Sequence, residues 1–203
     1  TVQQGIAEGR LLPMGEGGLR FHIAGFPVAV PLGGILGVLL IAYLWTPNFT
    51  EPGRSGIVLA AVFAVLLYAG VLVHELAHAW AARAFGYPVH GITLWLLGGY
   101  TVYERRTSRP WPELVIAVIG PISTLLLAGL CWVLAEVTSG SVSLLLGALA
   151  WTNGLLGVLN LLPGAPLDGG GVVKSVAWRL SGSESTGAKA AGYAGLVIAA
   201  LLG

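Results

Sequence analysis

Two histidines and a glutamate stand close together in the segment His74-Glu75-Leu76-Ala77-His78. On a helix, residues four apart lie one turn apart on the same face, so both imidazoles can reach a single metal ion. Glu75 then projects beside that ion, where it can accept a proton from water that the metal activates. The residue types and their spacing predict a zinc site with His74 and His78 as metal ligands and Glu75 as the catalytic base.

The setting of this segment strengthens the prediction. The residues from 55 to 73 carry no charge, and the motif continues into further apolar residues up to position 82. Ionisable side chains within a membrane are costly, so their presence there indicates a function. The alternative is a cluster at a helix end whose side chains reach the membrane surface.

A third metal ligand has to come from elsewhere, because catalytic zinc usually has three protein ligands. Asp168 follows Pro163 and Pro166, which prevent a regular helix, and precedes three glycines, 169–171, which allow close backbone approach. An unwound turn that ends in a carboxylate can aim one oxygen at a metal. The alternative is that Asp168 only caps a helix that begins at Gly169.

The composition indicates that this chain is embedded in a lipid membrane. Of its 203 residues, 56% are hydrophobic and 9% are charged, against roughly a quarter charged in ordinary soluble domains. The net charge of +1 provides no basic field for nucleic acid. Cys131 is the single cysteine, which excludes an internal disulfide and a four-cysteine zinc site.

Uncharged runs predict a polytopic membrane α-helical bundle that forms one domain over residues 1–203. The predicted spans are about 26–45, 55–82, 114–135 and 142–162, with a partial fifth from about 190. Each of the first four reaches the ~20 residues that cross a bilayer. The fifth run is short, and we therefore expect that a C-terminal part is missing.

The segment between the second and third spans is apolar and rich in β-forming residues. It predicts a small insertion, either two short strands hinged at Gly98-Gly99 or a re-entrant segment. An exposed strand edge is a template for an extended peptide, so one interpretation is a substrate-binding strand. The alternative is a hairpin that only caps the bundle. The candidate substrate-binding residues are Ile92, Thr93, Leu94, Trp95 and Leu96.

The cations predict the orientation in the cell membrane. Nine of the ten lie in the N-terminal segment, the segment between the second and third spans, and the segment after 167, whereas Arg54 lies on the other side. By the positive-inside rule, the N-terminus and the side that carries the active site are cytosolic. The nine are Arg10, Arg20, Arg83, Arg105, Arg106, Arg109, Lys174, Arg179 and Lys189.

The two motifs together resemble the site-2 protease family of intramembrane zinc metalloproteases. The resemblance rests on His74-Glu-Leu-Ala-His78 and on Asn160-x-x-Pro163-x-x-x-x-Asp168-Gly169. It implies one Zn²⁺ per chain with His74, His78 and Asp168 as ligands, Glu75 as the base, and Asn160 near the substrate or its oxyanion.

Two further features belong to this resemblance. Gly120-Pro121-Ile-Ser-Thr124 resembles a family motif that often ends in asparagine, where this chain has Thr124. The order of the spans resembles the subgroup with C-terminal CBS domains, which are absent from this chain.

The function that follows is hydrolysis of a peptide bond within or near the transmembrane helix of a membrane-protein substrate. The predicted partners are that substrate and membrane lipid, not nucleic acid, and the sequence leaves homo-oligomerisation open. The alternative is a membrane zinc transporter or zinc-binding sensor without hydrolytic activity. Glu75 argues against this alternative, because a protein that only binds zinc has little need of a base beside the first histidine.

Overall fold

A computed structural model describes residues 17–50, 56–96, 98–106, 108–164 and 166–202. Most of these residues are helical, and a four-stranded sheet is added to the helices. The chain folds as β1 (Gly18–Ile23), β2 (Phe26–Pro31), α1 (Leu32–Trp45), α2 (Ile57–Ala84), β3 (Val89–Trp95), β4 (Gly98–Tyr103), α3 (Pro110–Glu136), α4 (Gly140–Asn160), α5 (Asp168–Ser181) and α6 (Glu184–Leu202). This architecture confirms the predicted helical membrane bundle with a small β insertion.

Four segments of the described chain are long and apolar enough to cross a membrane. They are Leu32–Phe49, which is α1 with a short 3₁₀ turn, and the helices α2, α3 and α4. Large apolar side chains such as Leu39, Leu126 and Trp151 are exposed on their outer faces. In water this would be costly, whereas in a bilayer these faces contact lipid. The protein is therefore an integral membrane protein.

The first predicted span, 26–45, was wrong at its start. Phe26–Pro31 is strand β2, and the helix begins only at Leu32. Pro31 occupies the position before the helix and restricts Val30 to extended backbone. Phe26 and Val28 are buried in the sheet's core, so the apolar character of this stretch reflects a buried strand.

The C-terminal part also differs from the prediction. Two helices follow Asp168, and the second begins at Glu184 rather than near residue 190. Gly182, whose φ is +72°, ends α5 and donates its N–H to the Trp178 carbonyl at 2.9 Å. Helix α6 is not among the four segments that qualify as membrane spans within the described residues.

The sheet has the strand order β1-β2-β3-β4. Both hairpins are antiparallel, and the two are joined by a short parallel pairing of Val28 with Ile92 and of Ala29 with Thr93. Strand β3 therefore lies in the interior of the sheet, and β4 forms one edge.

One face of the sheet packs on helix α2. Phe26, Val28, Ile92 and Leu94 form a core cluster with Tyr68 and Ala79 of that helix. The Tyr68 hydroxyl lies 2.7 Å from the Leu96 carbonyl and 3.0 Å from the Trp95 carbonyl, so it fixes the turn between β3 and β4. This packing holds the edge strand β4 against the middle of α2.

The turn between β3 and β4 does not lie where it was predicted. Trp95 pairs with Gly98, so the chain reverses between these two residues rather than at Gly98-Gly99. The glycine pair opens strand β4 instead. A Cβ atom at Gly99 would lie 2.7 Å from Cγ of Glu75, so this glycine permits close approach of β4 to helix α2.

Candidate metal centre and active site

His74 and His78 face each other on helix α2. Both side chains are buried, and their Nε2 atoms are 3.0 Å apart. The apolar sequence keeps α2 regular over 28 residues, which sets this one-turn spacing.

The other nitrogen of each imidazole is held by helix α3. Nδ1 of His78 donates to the Ile116 carbonyl at 2.6 Å. Nδ1 of His74 lies 2.9 Å from the hydroxyl oxygen of Thr124, and that hydroxyl donates to the Gly120 carbonyl at 3.2 Å. With its proton used in this way, the Thr124 hydroxyl accepts from His74. Each Nε2 therefore presents a lone pair to the other, an arrangement that a shared cation stabilises.

Asp168 completes the cluster from helix α5. Its Oδ2 atom lies 3.0 Å from Nε2 of His74 and 3.3 Å from Nε2 of His78. This buried oxygen has no hydrogen-bond partner among the described residues. Burial alone would raise the pKa of Asp168, but the two nearby imidazoles outweigh it and lower the pKa to about 2. The side chain is therefore an ionised carboxylate at neutral pH.

The alternative role of Asp168 as a helix cap does not fit this geometry. Leu167 occupies the cap position of α5, and no side chain forms a capping hydrogen bond there. Asp168 is the first helical residue and points toward the histidines. Gly169 allows this placement, because a Cβ atom there would overlap the Leu162 carbonyl.

The three converging atoms fit a tetrahedral zinc ion. Bonds of about 2.0–2.1 Å place neighbouring ligands of such an ion about 3.3–3.4 Å apart. The observed separations of 3.0, 3.0 and 3.3 Å are close to that value. Two imidazoles and one carboxylate are also a donor set of catalytic zinc sites. In the described part of the chain, these three residues are the ones grouped closely enough to hold a metal.

Glu75 lies beside this cluster and is held by strand β4. It is only 5% exposed, and the Thr101 hydroxyl donates to its Oε2 atom at 2.8 Å. Thr101 carries only a weak signal in the sequence, namely that Gly99 and Thr101 share one face of a strand.

Helix α3 passes very close to the two histidines at Gly120. A Cβ atom at this position would overlap Nε2 of His78 and lie 2.9 Å from Cε1 of His74. Only glycine leaves room there for both imidazoles. Gly120 and Thr124 thus determine how α3 supports the cluster.

A cavity of about 290 Å³ opens next to the cluster, between α2, β4, α3 and α5. Glu75, His78 and Asp168 line one part of it, and Gly99, Tyr100 and Thr101 of β4 form one wall. Burial, followed by the charge of Glu113, raises the pKa of Tyr103 in the same cavity to about 12. Its phenol therefore remains neutral.

The predicted substrate-binding residues on β3 were wrong for strand pairing. Ile92, Thr93 and Leu94 are at most 4% exposed, and β3 has a partner strand on each side. Trp95 is exposed, while the Leu96 carbonyl accepts from Tyr68. At Ile92 and Thr93, where β2 and β4 pair with β3 on its two sides, no strand edge is left for a peptide.

Asn160 is the last residue of α4 and is half-buried. It is not among the described residues that line the cavity. Its predicted position near a substrate remains a prediction.

Membrane-embedded metallopeptidases combine the two properties found here, an apolar helix bundle and a buried metal cluster with an adjacent acid. The chain belongs to peptidase family M50, whose family model matches residues 62–144 and 135–202.

Individual relatives agree with this assignment. The chain is 38% identical over 196 residues to Rip3 of Mycobacterium tuberculosis, covering 86% of this chain and 50% of Rip3. It is 27% identical over 158 residues to the zinc metalloprotease MJ0392 of Methanocaldococcus jannaschii, covering 77% of this chain and 44% of that protein. The chain thus spans about half the length of these curated relatives.

A solved structure shares the fold. The site-2 protease from Methanocaldococcus jannaschii superposes with a TM-score of 0.62 at 25% identity, covering 80% of this chain and 72% of that one. The resemblance found in the sequence motifs is therefore confirmed at the level of family and fold.

Proposed function

We propose that this chain is the catalytic core of an intramembrane zinc metalloprotease, which hydrolyses a peptide bond within or near the transmembrane helix of a substrate. The observation that carries the proposal is the convergence of His74, His78 and Asp168 beside Glu75, at a cavity inside a membrane bundle. The family and the relatives support the same chemistry.

The residues take distinct roles in this proposal. His74, His78 and Asp168 would hold Zn²⁺, which when bound activates water and polarises the peptide carbonyl. Thr101 binds Oε2 of Glu75, so Oε1 is the oxygen left to take a proton from the attacking water. Glu75 then returns that proton to the amine of the departing peptide, which balances the hydrolysis.

The substrate would bind along β4. Within the described residues, β4 has a strand partner on one side only, and its other edge borders the cavity. Peptide carbonyls in a helix are hydrogen-bonded and shielded, so the scissile segment has to be extended. Pairing with β4 would supply new partners for amides that unwinding exposes in lipid.

Cross-linking tests the β4 edge against the opposite edge of the same sheet. In a Cys131→Ser, Glu75→Gln background, Tyr100→Cys should form a disulfide with a cysteine near the cut of a bound substrate. Phe21→Cys on β1 is the matched control, because the two native side chains are 45% and 37% exposed. We expect the yield at position 100 to be at least about fivefold higher, since Tyr100 lines the cavity. Equal yields at both edges would contradict pairing along β4.

The orientation belongs to the same proposal. Nine of the ten cations lie on the side of the N-terminus, the β insertion and the segment after 167. This distribution supports a cell-membrane protein whose active-site side is cytosolic.

Removal of the metal tests the function itself. In lipid vesicles with a single-span substrate, zinc chelation should abolish cleavage, and added Zn²⁺ should restore it. The reason is that the proposed reaction needs the bound ion to activate water and to polarise the peptide carbonyl. A zinc transporter would instead move zinc across the vesicle without cutting the substrate. Cleavage that persists without zinc, or zinc transport without cleavage, would contradict the proposal.

A further inference from the structure

The cavity at the metal cluster extends to two buried oxygen atoms that have no hydrogen-bond partner among the described residues. One is Oε1 of Glu113, at the start of helix α3, and the other is Oγ of Ser175, on helix α5. Ser175 is 1% exposed, and both side chains line the cavity. Buried polar atoms are almost always paired, so two unpaired atoms in one cavity indicate a missing donor.

The neighbouring charges leave Glu113 poorly compensated. Arg105 and Lys174 both bind Glu184, with nitrogen-to-oxygen distances of 2.5 and 2.9 Å, and the Ser108 hydroxyl donates to the same carboxylate at 3.1 Å. These contacts, led by the one with Lys174, lower the pKa of Glu184 to about 2. By contrast, Glu113 has a single ion pair among the described residues, a 3.9 Å contact between its Oε2 and Arg105, and Lys174 adds a more distant positive charge. Glu113, which lines the cavity, therefore has an oxygen without a hydrogen-bond partner among the described residues, whereas both oxygens of Glu184 accept hydrogen bonds.

The two oxygens lie at a definite position relative to the metal cluster. Glu113 is one helical turn before Ile116, whose carbonyl holds His78. Ser175 lies seven residues after Asp168 on α5, which is about 10 Å along the helix. An extended peptide advances about 3.3 Å per residue. A substrate side chain that reaches this end of the cavity would therefore belong to a residue about three positions from the cut.

We propose that Glu113 and Ser175 form a subsite for a basic side chain, lysine or arginine, about three residues from the scissile bond. This inference rests on the proposed proteolytic function. A cationic group supplies donors to both vacant oxygens and compensates the charge of Glu113. Lysine and arginine flank transmembrane helices on their cytosolic side. The subsite would thus set the register of the cut relative to the membrane surface.

A substrate series tests the subsite. A set of single-span substrates places lysine at one position at a time, from the second to the fourth residue on either side of the cut. Matched substrates carry methionine, a neutral residue of similar length, at the same positions. We expect lysine at one position to raise kcat/KM roughly tenfold or more over methionine. Glu113→Gln should reduce this ratio to about 1, and Ser175→Ala should reduce it in part. Glu104→Gln is the matched control, because it is the same chemical change on an exposed side chain that does not line the cavity, and it should keep the preference. Glu184→Gln should weaken the preference, because it frees Arg105 and Lys174 to compensate Glu113.

A binding measurement separates this inference from the function on which it rests. The same peptides are titrated into the Glu75→Gln protein, with and without Glu113→Gln, and zinc content verifies that each variant is folded. Tighter binding of the lysine peptide that depends on Glu113 would support the subsite even if no peptide were cut. Equal affinity for lysine and methionine peptides, or a preference that survives Glu113→Gln, would overturn it.

Discussion

Replacing Glu75 by glutamine is expected to lower peptide cleavage by a factor of about 10²–10⁴ or more, while zinc remains bound. Glutamine keeps the volume of the side chain and can still accept the hydrogen bond from Thr101. Its amide cannot take a proton from water, so the proposed general base is lost. The three proposed zinc ligands are unchanged. The measurement is the cleavage rate of a single-span substrate, together with the zinc content of the purified variant.

Glu104→Gln provides the matched control for this experiment. It is the same chemical change on a side chain that is 61% exposed and pairs only loosely with His90, at 3.8 Å. We expect it to cleave at the wild-type rate. If Glu75→Gln also cleaved at that rate, Glu75 would not be the base and the proposed chemistry would fail.

The second large effect is expected from Gly120→Ala, which should weaken zinc binding by at least about 100-fold and abolish cleavage. The added methyl group would overlap Nε2 of His78 and crowd His74. The His78 ring cannot move away easily, because the Ile116 carbonyl holds its other nitrogen. Displaced imidazoles cannot both bind one ion. Competition with a zinc chelator of known affinity measures the loss.

The matched control is Gly129→Ala on the same helix. A Cβ atom there would have no neighbour within 4 Å, and alanine is a better helix former than glycine by about 1 kcal/mol. This variant should bind zinc and cleave like the wild type. Equal zinc affinity in the two variants would show that α3 does not pack against the cluster as described.

Local sequence information was sufficient for the parts of the site that lie within one helix. The spacing of His74 and His78 fixes their common face, and the long uncharged run places them in a membrane helix. Asp168 was harder, because its own neighbourhood fits a ligand and a helix cap equally well. The choice depends on where the packing of α5 against α3 places Asp168 relative to the histidines of α2, which no local pattern encodes.

The edge of the sheet could not be predicted for the same reason. The apolar run from Gly91 to Tyr103 indicated strands, but not that Val28 would pair with Ile92 some 60 residues away. That parallel pairing buries β3 and leaves β4 as the edge. The roles of Thr101 and Gly120 follow from contacts between distant elements, so they became visible only once the helices and the sheet were packed together.

Anomalous scattering at the zinc edge, from crystals of the protein purified with its metal, tests the proposed metal centre directly. We expect one zinc peak per chain, bound by Nε2 of His74, Nε2 of His78 and a carboxylate oxygen of Asp168 at about 2.0–2.2 Å. A chain with no zinc at this cluster, or a zinc ion held by other residues, would contradict it.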